Sequence, residues 1–143
     1  TGNLFMSTKG IYMRNSTYPD VIKYQGAPAT TDDGTTAVSV ANILTGIVQC
    51  TPTADRSKAT DTAGNLISGL YLTANGDSFD FSVINLATDG TSFITLTAGS
   101  SVTLVGNMIV SAQDTAEDAF TSGVGRFRIR RTSPTAVTMY RIG

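Results

Sequence analysis

The run GRFRIRR, residues 125–131, gathers the densest positive charge in the chain: Arg126, Arg128 and Arg130 alternate with Phe127 and Ile129, and Arg131 follows. A guanidinium presents a planar fork of N–H donors that matches phosphate and carboxylate oxygens. The run could therefore grip nucleic acid, dock on a protein, or form the wet face of a strand. In an extended chain alternate residues share a face, so Phe127 and Ile129 point to a core and the three arginines point outward. Arg141 lies in the next extended segment, beyond Ser133-Pro134-Thr135, and could extend the same patch across an antiparallel pair.

Bulk charge weighs against nucleic acid. The 143 residues carry 10 Lys and Arg against 11 Asp and Glu, a formal net charge of −1, so no global basic field draws in a polyanion. No lysine supports the run, and no exposed aromatic platform accompanies it. A solvated face fits poorly too, because only 15% of the residues are charged. A protein interface suits arginine best, since its stem covers apolar surface while its fork pairs with carboxylates and carbonyls. Arg126, Arg128, Arg130 and Arg141 are the expected subunit-interface residues, with the Asp-rich loops of a second copy as a possible partner.

The remaining chemistry is sparse. The chain has no histidine, hence neither the commonest general base nor the commonest metal ligand. Cys50 is the only cysteine; it cannot form an internal disulfide and reads as a small buried residue at a strand end. Asp32-Asp33-Gly34 and Asp114…Glu117-Asp118 could hold a hard cation through oxygen, but neither has the spacing of an EF-hand loop. Asp77 and Asp80, three apart on a strand, fall on opposite faces, which argues against a paired-carboxylate site. Ser122-Gly123-Val124-Gly125 lacks the lysine and third glycine of a phosphate loop. No catalytic residue, metal or cofactor is expected, and an enzyme is not. No stretch approaches the roughly 20 apolar residues of a membrane span, and Thr1-Gly2-Asn3 does not open a signal peptide. A soluble, disulfide-independent protein with no membrane or nucleic-acid partner is expected.

The elements that must position these residues read as all-β. Residues 1–37 hold short apolar islands, Leu4-Phe5-Met6, Ile11-Tyr12-Met13 and Val21-Ile22, between polar residues. With Tyr18 and Tyr24 they are too aromatic for a solvated tail, so an extended N-terminal arm that packs on something is expected. GAPATTDDGTT (26–36) is loop-like. From Val38 to Gly143 the pattern is one β-sandwich domain. VSVANILTGIVQCT (38–51) has strand character, with Gly46 as a bulge or bend. Asp61 or Thr62 caps one short helical turn through Leu66, Ile67 and Leu70, limited by Gly64 and Gly69. DSFDFSVINL (77–86) alternates Phe79, Phe81 and Val83 against Ser78, Asp80 and Ser82. Strands follow at 92–99, 101–106, 107–112, 125–133 and 136–143, parted by turn formers such as Asp89-Gly90-Thr91, Ala98-Gly99-Ser100 and Gly106-Asn107. Short strands at this spacing argue for a sandwich or barrel.

Four segments together, NILTGIVQCTPTADRSKATDTAGNLISGL, GDSFDFSVINLA, ITLTAGSSVTLVGNMIV and GRFRIRRTSPTAVTMYRIG, resemble a β-sandwich module of tailed-bacteriophage structural proteins. The resemblance is notably to those of phages of cyanobacteria and marine bacteria. The resemblance spans residues 42–143 and is to capsid decoration, or cement, proteins. It implies a jelly-roll-like antiparallel β-sandwich with one short helix, a homotrimer, a place on the capsid exterior of the virion and the major capsid protein as partner. A trimeric spike or fibre head that recognises host-surface glycan is the alternative. Arm islands at Leu4, Phe5, Met6, Ile11, Tyr12 and Met13 would then dock on the shell. The resemblance supplies no catalytic residues.

Overall fold

The computed structural model describes residues 26–113 and 122–143. Along the chain these form β1 (Ala29–Thr30), α1 (Val40–Leu44), β2 (Ile47–Cys50), β3 (Arg56–Ala59), α2 (Ala63–Gly69) and β4 (Ser78–Asn85). Then come β5 (Ile94–Thr97), β6 (Val102–Val105), β7 (Ile109–Val110), β8 (Val124–Ser133) and β9 (Ala136–Arg141). The fold is predominantly β, in two sheets. One has six strands in the order β1-β2-β4-β8-β9-β6; the other has three, β3-β5-β7.

Period-two patterning builds the long strands. Phe81 and Val83 of β4, Phe127 and Ile129 of β8, and Val137 and Met139 of β9 turn to one side of the six-stranded sheet and are buried. Ile94 and Leu96 of β5 and Val110 of β7 face them from the small sheet, and Ile43 and Leu66 of the helices join the same core. Burying such side chains stabilises by roughly 1.5–3 kcal/mol each relative to exposure. The rings of Phe81 and Phe127 lie 5.6 Å apart at the centre of the large sheet.

The expectation of an antiparallel sandwich is corrected. β4·β8, β8·β9 and β5·β7 pair antiparallel, but β1·β2, β2·β4, β3·β5 and β6·β9 pair parallel. The turns at Ala98-Gly99-Ser100 and Gly106-Asn107 exist, yet they are not hairpin turns. The first carries the chain from β5 in the small sheet to β6 in the large one, and the second carries it back to β7. A turn residue specifies a reversal and not the strand that the chain meets next.

The expectation of one helix is also corrected, to two among the described residues. Val38–Thr51 is not a continuous strand, because Ser39 opens a capping box: its side chain accepts from the Asn42 backbone N–H, and the Asn42 side chain accepts from the Ser39 N–H. That reciprocal bonding satisfies two donors that a helix start otherwise leaves open. Gly46, at φ +81°, bends the chain as expected of a bulge or bend, but as the stop of a helix and not as a bulge within a strand. α2 starts where expected, capped by Thr62. A β-carbon on Gly69 would lie 2.3 Å from Val40 Cγ1, so glycine there lets α1 and α2 pack closely.

Residues 29–33, within the segment expected as an arm, sit on the edge of the large sheet. Ala29 and Thr30 pair with Val48 and Gln49, and the Thr31 N–H donates to Gln49 O at 2.9 Å. Leu4, Phe5, Met6, Ile11, Tyr12 and Met13 lie outside the described residues, as do Asp114, Glu117 and Asp118.

A candidate docking face on the six-stranded sheet

The large sheet packs one face on the core and leaves the other open. In β8 the outward residues are Arg126, Arg128 and Arg130, all exposed, between buried Gly125, Phe127 and Ile129. The register sets their neighbours. Across β4, Arg126 faces Ser82, Arg128 faces Asp80 and Arg130 faces Ser78. Across β9, Arg128 faces Tyr140 and Arg130 faces Thr138. Val105, 46% exposed, stands opposite Tyr140 in β6, and Ile142, 43% exposed, follows it. Arginine, tyrosine and isolated aliphatics set among hydroxyls are an interface-like composition.

The three arginines are not equivalent. Arg128 forms a bidentate pair with Asp80, Nε to Oδ1 at 2.7 Å and Nη2 to Oδ2 at 2.9 Å. Its hydrogen bonds hold the Asp80 carboxyl below the usual carboxylate range, against the opposing effect of desolvation. Among the described residues, no carboxylate lies within ion-pair distance of Arg126 or Arg130. The Asp80 partnership was half visible in the sequence. Its place on the polar face with Ser78 and Ser82 was readable; its register against Arg128 was not.

Arg141 does not join this row. It stands opposite Phe127, so its side chain is on the core side of the sheet. The guanidinium lies over the Phe127 ring, 5.5 Å from its centroid. It donates to Asn107 O at 3.3 Å and to Ile109 O at 2.7 Å, and thereby ties the β6–β7 connection to the sheet. Arg131 is likewise turned inward, donating to Leu72 O and Ser133 O.

The described aspartates are engaged within the fold. Asp33 accepts from Arg56 and Thr53, which hold its carboxyl far below the ordinary range. Asp32 accepts from Thr36 and from Lys58. Asp61 accepts from Asn65 and the Thr62 N–H, and Asp77 from the Ala74 and Thr73 N–H groups. Asp89 accepts from Ser92 and Thr91 and is lowered to about 2, and Asp55 accepts from the Phe93 N–H. Asp32-Asp33 thus serves as counter-charge for the protein's own cations, and no cluster of three metal-ligating side chains occurs among the described residues.

Two buried polar residues escaped sequence reasoning. Lys58 is 1% exposed, and its ammonium donates to Asp32 Oδ1 at 2.9 Å and Asp32 O at 3.0 Å. The same carbonyl lies 3.3 Å from the Sγ of Cys50, which is buried at the end of β2. Asn85, fully buried at the end of β4, donates from Nδ2 to Ser92 O at 2.8 Å and Val110 O at 3.0 Å, and its Oδ1 accepts from the Ala87 N–H. It bridges the large sheet to β7 of the small one.

These carboxyls set the response to acid. Asp32, Asp33, Asp61, Asp77, Asp80 and Asp89 all titrate below the ordinary value of 3.8 in the folded state. A depressed folded value stabilises fully above the unfolded one, and that contribution is lost as pH falls through the folded one. With no histidine in the chain, the thermal midpoint should stay level between about pH 8 and about pH 5 and then fall from about pH 4 toward pH 2. Calorimetry across this range checks it; a midpoint that already drops between pH 8 and pH 5 would contradict it.

No family model matches the chain, and no curated protein or solved structure matches it either.

Proposed function

We propose that the chain is a structural virion protein, a capsid decoration protein that binds the major capsid protein shell of a tailed phage and stabilises the DNA-filled head as a homotrimer. The observation that carries this reading is the open face of the six-stranded sheet. It presents Arg126, Arg130, Tyr140, Val105 and Ile142 to solvent, and none of the described titratable side chains on it is set up for catalysis. The resemblance of residues 42–143 to phage decoration modules supports the same conclusion. Two sheets around one core are compatible with a sandwich of that kind, while the parallel pairings depart from a jelly roll.

Mechanically, such a protein acts by burying area. The face, together with arm islands Leu4–Met6 and Ile11–Met13, bridges neighbouring shell subunits and opposes the outward pressure of packaged DNA. Contacts that are weak singly add up over a symmetric shell. The alternative of a spike or fibre head for host glycan rests on Tyr71, 78% exposed after α2, as a sugar-stacking ring. Labelling intact particles with an antibody to the chain tests the choice: label over the head supports decoration, and label confined to the tail or fibres overturns it.

A further inference from the structure

We infer that the open face takes an acidic protein surface from outside the chain, with one carboxylate for Arg126, one for Arg130 and none between them. The inference rests on reading that face as a docking surface for protein and deepens it by naming the partner's charge pattern.

The pattern follows from the sheet. Arg126 and Arg130 are four residues apart on one strand, which places their Cα atoms roughly 13 Å apart at about 3.3 Å per residue. Both are seated on glycine: the stem of Arg126 runs beside Gly143, where an added β-carbon would touch its Cβ, Cγ and Cδ at 3.5–3.8 Å, and Arg130 Nη2 lies 3.7 Å from such a carbon at Gly76. Between them Arg128 is already neutralised by its fork on Asp80. The face therefore reads plus, neutral, plus. An anion laid over the centre meets the Asp80 carboxylate and gains nothing from Arg128.

Among the described residues no carboxylate is left over to supply the two counter-charges. Each described carboxylate already accepts hydrogen bonds inside its own fold. The N-terminal residues 1–25 carry Lys9, Arg14 and Lys23 against Asp20, so they share the sign of the face. Of the Asp-rich loops expected from a second copy, the described one, Asp32-Asp33, is already occupied by Thr36, Lys58, Thr53 and Arg56, which favours a partner from outside the chain.

A nucleic-acid strand also brings negative charge, but at every nucleotide. Laid along β8 it sets a phosphate against Asp80, in a chain of net charge −1. A protein places carboxylates singly and can leave the middle neutral. Ser78, Ser82, Thr138 and Tyr140 around the arginines, with Val105 and Ile142 beside them, supply the uncharged remainder of such an interface.

Binding of the full chain, by anisotropy at low salt, to a fluorescent spaced peptide Glu-Ser-Ser-Ser-Glu, to a peptide with glutamate at every one of those positions, and to a single-stranded dT oligonucleotide tests the inference. The wild type should bind the spaced peptide more tightly than the all-glutamate peptide or the oligonucleotide. Arg126→Ser with Arg130→Ser should weaken binding of the spaced peptide at least tenfold while the circular dichroism spectrum and thermal midpoint stay put. Asp80→Asn should strengthen the all-glutamate peptide and the oligonucleotide more than the spaced peptide, because it removes the central repulsion. Oligonucleotide binding as tight as that of the spaced peptide would overturn the inference in favour of nucleic acid. Equal binding of the spaced peptide by wild type and double variant would return the arginines to a solvated face. Head binding kept by the double variant would sink this inference while leaving the decoration reading intact.

Discussion

Replacing Asn85 with aspartate should unfold the domain under conditions in which the wild type is fully folded. Asn85 is fully buried, and its amide nitrogen is the donor to two carbonyls, Ser92 O and Val110 O. Aspartate is the same size but has no donor when ionised. It would set a carboxylate oxygen against two carbonyl oxygens where water does not reach. An unsatisfied buried polar group costs about 1–3 kcal/mol, and an unpaired buried charge costs more, against a typical domain stability of about 5–15 kcal/mol. A loss above about 4 kcal/mol at neutral pH is expected, read from urea unfolding. The pH dependence carries the signature. The new carboxyl would titrate higher folded than unfolded, so the variant should regain stability as pH falls from 7 toward 5, where the wild type is level. Asn85→Leu loses the same bonds without the charge and should fall between the two. A variant Asn85→Asp within about 1 kcal/mol of wild type at pH 7 would show that the amide does not hold the sheets together.

Lys58→Glu should be the second most damaging single change. Lys58 is buried in β3, and Asp32 is its partner through both carboxylate and carbonyl. Glutamate there would be a buried anion facing another anion and a carbonyl oxygen. Removing one side of a buried pair typically costs about 3–5 kcal/mol, and reversal of charge adds repulsion. Lys58→Met keeps the length of the stem and removes the charge; Asp32, half exposed and bonded to Thr36, can then be solvated. The methionine variant should stay folded with a thermal midpoint near that of wild type, while the glutamate variant should not accumulate as a folded protein. Equal damage from both would mean that the ammonium's hydrogen bonds matter more than its charge. The contrast also bears on the arm: Lys58 fixes residues 31–33 to the domain, so a truncation at residue 25 should preserve the fold, and one at residue 37 removes a structural strand with the arm.

Much of the sheet was legible because its residues alternate. Phe81 and Val83 against Asp80 and Ser82, and Phe127 and Ile129 against the arginines, point to one buried side in any sheet that pairs them. α2 was legible because Thr62 is a cap residue ahead of an apolar spacing. α1 was not, because Val40 and Ile43 suit a strand and only the Ser39–Asn42 box turns them into a helix. The parallel pairings were illegible in principle: turn residues do not say which sheet a strand enters. The side of the sheet on which Arg141 falls turned on a single residue. Ser133 pairs with Ala136, and a regular hairpin from there would set Arg141 opposite Arg128. The register shift between Arg131 and Ser133 moves it opposite Phe127, and a slip of one residue exchanges the two faces. Lys58 and Asn85 were missed because polar residues read as surface unless their burial is known.

We propose that the outer face of the six-stranded sheet is where this chain meets an acidic partner on a virion shell. Reconstruction of the intact particle by electron cryo-microscopy, at a resolution that separates strands, should then show density for the chain on the head, with β8 and β9 turned toward the shell and shell carboxylates next to Arg126 and Arg130. Density on the tail or fibres, or a head-bound chain whose Arg126–Arg130 face points to solvent, would contradict it.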